Sequence, residues 1–164
     1  MTNEDNTTEA ATNELDTLGE LAPTSTTTVH NQFDSLGSTA QTVVREIATA
    51  MGFDREEYND RITSEVLEAA RETLFAEQLA VRVGSRDEFE QWVDSHPAVN
   101  VEQMGSPNVA RVAWHHAPFS DDVIAATFQN EQTAAVSTLR RHSFGEIYRP
   151  VIEDEPSADT DIQE

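Results

Sequence analysis

The sequence predicts an α+β fold in the order ααα–β–α–βββ–α, with N-terminal helices followed by a small, mostly antiparallel four-stranded sheet on which helices pack. Three observations carry this. Apolar residues in the first half recur three and four positions apart, and at Leu79 the period changes to strand alternation. The stretch Arg111–Tyr148 then reads as two apolar strands joined by a polar loop and followed by a long helix. That stretch holds one of the two tryptophans and three of the seven phenylalanines, so the core is expected there.

In chain order, a short helix is expected at Val29 to Leu36. Next comes a longer one with Ser38 and Gln41 at capping-box spacing, Ala40, Val43, Val44, Ile47, Ala48 and Met51 on one face, and Gly52 at the stop. Asp54 with Glu57 opens another helix, and Thr63 or Ser64 caps a third with Val66, Leu67, Ala70 and Leu74 on one face. Leu79, Val81 and Val83 alternate as a strand; Ser85 with Glu88 then starts a helix burying Phe89, Trp92 and Val93, which ends at His96-Pro97. Val99 and Val101 begin a second strand. The turn Gly105-Ser106-Pro107-Asn108 predicts a hairpin into a third, Val109 to His116. Val123 to Phe128 is the fourth strand, Asn130 caps the last helix, and Pro150 closes it.

The ends differ in composition from this body. Residues 1–28 carry six carboxylates and no basic residue, and residues 153–164 another six with none. Neither offers enough apolar area to offset the entropy of ordering it. Disordered acidic tails are therefore expected at 1–28 and 152–164, around a single domain at 29–151. The whole chain bears a formal charge of −21, and all ten of its basic residues are arginine. An acidic, lysine-free surface suits a saline cytoplasm, because self-repulsion is tolerable where the Debye length shrinks to about 3 Å, at roughly 1 M salt. Loss of structure below roughly molar salt is expected on the same ground, and cooperative circular dichroism in dilute buffer would contradict it. The absence of cysteine excludes disulfides, thiolate chemistry and Cys-based metal sites. No apolar run approaches membrane-spanning length, which predicts a soluble, cytoplasmic protein without a membrane partner.

The runs TAQTVVREIATAMGFDREEY, RVAWHHAPF, ATFQNE and TLRRHSFGEIYR, within Phe33 to Arg149, resemble a family of uncharacterised proteins of halophilic archaea, a domain of unknown function. The resemblance covers nearly all of the expected folded unit and none of the tails. It implies no activity.

Six residues are candidates for contact with a ligand or partner: Trp114, His115, His116, Asp122, Arg140 and Arg141. On a strand His115 and His116 point to opposite faces, so they do not readily share one metal ion. Val112 and Trp114 share the face of His116, while Arg111 and Ala113 share that of His115. One ring then lies near the core and the other near solvent. The plain reading is a strand-end pair with one ring hydrogen-bonded internally; the sharper one is ligand binding or acid–base work, since imidazole titrates near pH 6.5. Asp121-Asp122 either orients a ring or is solvated loop charge. Arg140 falls inside the apolar arc of Val136, Leu139, Phe144 and Ile147, whereas Arg141 and His142 fall outside it. A guanidinium on that side needs a partner: either its stem packs while the head reaches water or a structural carboxylate, or it presents its fork to an anionic ligand or a partner subunit's carboxylate.

No nucleophile elbow, Walker loop, dinucleotide fingerprint or HExxH spacing occurs, so no catalytic residue, cofactor or metal is expected. Arg140, Arg141 and Arg149 could form a basic patch, with Trp114, Phe119 and Tyr148 as stacking rings. No nucleic-acid-binding signature accompanies them, and salt would screen the attraction, so nucleic acid is not the expected partner. The expected function is a non-catalytic binding or interaction domain adapted to high salt, with self-association or a protein partner. The alternatives are a ligand-binding protein or minor enzyme using His115, His116 and Arg140, and a transcription-associated factor.

Overall fold

A computed structural model describes residues 16–154. In chain order the elements are β1 (Asp16–Leu18), α1 (Thr26–Ser35), α2 (Gly37–Ala50), α3 (Arg55–Arg61), α4 (Ser64–Glu77), β2 (Val81–Ser85), α5 (Arg86–Asp94), β3 (Asn100–Met104), β4 (Arg111–Ala117), β5 (Asp122–Phe128), α6 (Gln132–Ser143), a π-turn (Phe144–Tyr148) and α7 (Arg149–Glu153). The fold is α+β, and its sheet is mixed and five-stranded, in the order β1-β2-β4-β5-β3. The described residues group into two compact units. One holds the segment up to Ala22 with Leu79–Arg140; the other holds Pro23–Gln78 with the segment from Arg141 onward. Among the described residues no helix is long and apolar enough to cross a membrane.

In the first unit, β4 and β5 form the centre because they are apolar on both faces. Val112, Trp114, Val123 and Ala125 meet Phe89 of α5 on one face, with Trp92, Val93 and Val99 packed around them. On the opposite face Val81, Val83, Ala113, His115, Ala117, Ile124 and Ala126 are all buried. The Ser85–Glu88 capping box starts α5 as the sequence predicts, with Ser85 Oγ accepting the Glu88 amide at 3.1 Å and Glu88 Oε1 accepting the Ser85 amide at 2.7 Å.

Two expectations about the sheet are corrected. The Gly105–Asn108 turn does not close a hairpin: β3 pairs parallel with β5 at the sheet edge, and β4 pairs with β2 and β5. The physical reason lies in the strands. The tight connection from Ala117 to Asp122 joins the two most apolar strands directly, and the polar, exposed NVEQM strand is left for the edge. Gly105 turns the chain at φ +90°, and a Cβ there would collide with Thr127 Oγ1. The second correction is a fifth strand. Asp16–Leu18, within the segment expected as a tail, pairs antiparallel with β2, and Leu21 bridges to Leu79. The tail expectations for 1–15 and 155–164 lie outside the described residues.

The second unit is helical. Phe75 of α4 is fully buried at its centre, edge-on to Phe33 at 6.0 Å and to Phe144 at 5.6 Å, and 5.3 Å from Tyr148. Arg149 pairs with Glu72 at 2.9 Å. The caps at Asp54 and Thr63 form as predicted. Ser38 does not cap α2, because α1 runs into α2 through Leu36, whose carbonyl already accepts the Ala40 amide. Nor does Pro150 end the last helix. The π-turn widens the helix at Phe144–Tyr148, and Pro150 then sits in the first turn of α7, where its missing N–H costs little.

Candidate functional site

The alternation of β4 places the two histidines as the sequence requires, on opposite faces. His115 is fully buried, and its Nδ1 donates to the Ala80 carbonyl at 2.7 Å. Because a carbonyl only accepts, that bond fixes the neutral tautomer with the proton on Nδ1. Burial pushes its pKa down to about 4; the Ala80 bond opposes this, and the charges of His116, Arg82 and Arg140 add to it.

His116 looks toward α5. Its ring stands edge-on to Trp92 at 5.2 Å and to His96 at 5.8 Å, while Trp92 and His96 stack at 4.0 Å. His96 Nδ1 donates to the Trp92 carbonyl at 2.7 Å, and the Arg82 guanidinium lies 5.6 Å from the Trp92 ring centroid. Asp121 Oδ1 is 3.5 Å from His116 Nε2, within ion-pair range but beyond a good hydrogen bond, and Nε2 has no hydrogen-bond partner among the described residues. Burial therefore lowers the His116 pKa, with Asp121 opposing and His96 reinforcing the shift. Asp121 adopts φ 61°, the one positive φ at a non-glycine among the described residues. It is Asp121, and not Asp122, that reaches the histidine; Asp122 accepts the Ser120 hydroxyl at 2.9 Å. His96 belongs to this cluster although its position before Pro97 had marked only a helix end.

Trp114 is a fully buried anchor of the α5 face, 5.0 Å from Phe89 and 5.9 Å from Trp92. Arg140 is satisfied by the backbone: Nε donates to the Leu79 carbonyl at 3.0 Å and Nη2 to the Leu18 carbonyl at 3.1 Å. It clips β1 and the start of β2 to α6. Arg141 is exposed and also interacts within the chain. Among the described residues no three histidine or carboxylate side chains converge to hold a metal ion. The sequence candidates in this unit are thus brought together as packing, one clip and one half-buried imidazole–indole cluster.

The second unit holds a different arrangement. The exposed side of α2, the Gly52 turn and the start of α3 enclose a groove of about 760 Å³ whose walls include Arg45, Phe53, Asp54, Arg55, Tyr58 and Asn59. Gly52, at φ +79°, allows the chain to double back between the two helices. Asp54 is committed to its cap, accepting the Glu57 amide at 2.8 Å. Phe53 carries the Arg61 guanidinium 5.6 Å from its centroid. The side chains of Arg45 and Arg55 have no hydrogen-bond, ion-pair or ring partner among the described residues. All eight other arginines interact with a carbonyl, carboxylate, ring or other group of the chain. Neither of the two attracted notice in the sequence, since each sits on the polar side of an ordinary helix. The signal that could have found them is the scarcity of cations in TVVREIATAMGFDREEY, where two arginines bracket Gly52 and Phe53 and Tyr58 follows three residues on.

A family model described as a family of unknown function, DUF5809, matches residues 20–149. No curated protein and no solved structure matches the chain.

Proposed function

We propose that this chain, which belongs to the family of unknown function DUF5809, is a non-catalytic binding module that holds a small anion in the α2–α3 groove. One observation carries the reading. In a chain of 31 carboxylates and ten arginines, the two guanidiniums without a partner among the described residues line the same concavity. Guanidinium forks match carboxylate and phosphate oxygens, and each charge-assisted hydrogen bond is worth about 1.5–3 kcal/mol. Two guanidiniums lining one groove therefore favour an anion there over the carboxylate-rich remainder of the surface. The groove's size lies within that of small-ligand sites, roughly 300–1,000 Å³.

Equilibrium dialysis with pyrophosphate, at constant ionic strength in KCl, tests this. One saturable site per chain is expected, and Arg45→Gln/Arg55→Gln should weaken it at least tenfold while keeping the wild-type melting transition. Equal binding by the folded double variant, or no saturation by the wild type, would contradict the reading. Adaptation to high salt and a cytoplasmic setting remain part of the proposal, supported by the −21 charge and the lysine-free composition.

A further inference from the structure

The walls between the two arginines narrow the ligand class, an inference that rests on the anion-binding reading above. Phe53 and Tyr58 are half-buried with their rings in the same groove, and Asn59 adds an amide that can both donate and accept. Neither the Tyr58 hydroxyl nor the Asn59 amide has a partner among the described residues. A bare inorganic anion would use the guanidiniums and leave the rings, the amide and most of the 760 Å³ idle. A long polyanion is disfavoured for a different reason. A neighbouring hollow lined by Glu56, Glu57 and Asp60 shares Asn59 with the groove, so an extended acidic chain leaving the arginines would run against like charge.

We propose that the groove binds a nucleoside monophosphate, with the phosphate held by Arg45 and Arg55, the base against Tyr58, and Asn59 at the base's polar edge. A single compact phosphate brings less charge toward the acidic hollow than an extended chain does. Stacking is tolerant of base identity, so the arrangement selects a ring with a phosphate rather than one particular base.

Isothermal titration at constant ionic strength tests this with AMP, adenosine, inorganic phosphate and a short single-stranded oligonucleotide. AMP is expected to bind at least about tenfold tighter than phosphate, in line with stacking on one ring. Adenosine should bind weakly. Arg45→Gln/Arg55→Gln should abolish AMP binding, and Tyr58→Leu should bring AMP down to the level of phosphate while Tyr58→Phe keeps it. Tyr58→Phe reports on the ring even if Tyr58→Leu fails to fold, because a loss of AMP binding there would show that stacking is not the contact. AMP no tighter than phosphate, with phosphate still arginine-dependent, overturns the nucleotide assignment and leaves the anion reading intact. Absence of saturation by every probe overturns both. Tighter binding of the oligonucleotide than of AMP overturns the free mononucleotide as the ligand and identifies a strand end instead.

Discussion

Acid should unfold this protein through His115. The imidazole is fully buried, neutral, and bonded through Nδ1–H to Ala80, with its pKa held near 4 against an ordinary 6.5. Above pH 6.5 it is neutral in folded and unfolded chains alike, and its full contribution is present. Below that, the unfolded chain takes up a proton that the folded chain refuses. Stability is therefore lost as pH falls from about 6.5 toward 4, by about 3 kcal/mol at the end of that window. Protonation of the many carboxylates works the other way, because it relieves self-repulsion in a chain of net charge −21. The difference between wild type and His115→Asn isolates the imidazole, since the asparagine amide can still donate to Ala80 but does not titrate. Urea melts at pH 7 and near pH 4 should show a wild-type loss exceeding the variant's by about 3 kcal/mol. Parallel pH profiles would remove His115 as the cause.

Arg140→Met should destabilise the first unit by about 2–4 kcal/mol, estimated from two hydrogen bonds made by a charged donor. The bond to Leu79 carries most of this. Leu79 is fully buried, so its carbonyl is left without a partner when the guanidinium is removed. The bond to Leu18 carries less, because Leu18 is 38% exposed and water can replace the donor. Methionine keeps much of the side-chain volume, so the loss reports the hydrogen bonds and not a cavity. A local signature should accompany it: the Ala80 amide, bonded to the Leu21 carbonyl at 2.9 Å, should lose hydrogen-exchange protection as β1 frays. A variant within about 0.5 kcal/mol of wild type, with Ala80 still protected, would mean that Arg140 does not hold the strand.

Arg140 also shows how far the sequence could be read. Its position inside an apolar arc required a partner, and the partner is internal. The identity of that partner could not be read, because Leu18 and Leu79 lie 122 and 61 residues away along the chain. The caps at Asp54, Thr63 and Ser85 were legible because their chemistry is complete within four residues. The alternation of β4 was legible for the same reason, down to the opposite faces of His115 and His116. β1 was not, since three residues in an acidic, threonine-rich segment become a strand only through β2 and the Arg140 clip. The parallel pairing of β3 was hidden because a turn sequence reports a change of direction and not which strand lies alongside. The α2–α3 groove was hidden more deeply. Its signal is that two arginines lack partners among the described residues, a property of every other side chain as much as of Arg45 and Arg55.

That property is directly observable in the arginine Nε–Hε resonances. Pyrophosphate titrated into the labelled protein at constant ionic strength should shift Arg45 and Arg55 saturably and together. Arg86 and Arg140, whose Nε groups are already bonded to the Val109 and Leu79 carbonyls, should stay in place. Stationary Arg45 and Arg55 resonances, or a uniform drift of all four, would contradict an anion site in the groove.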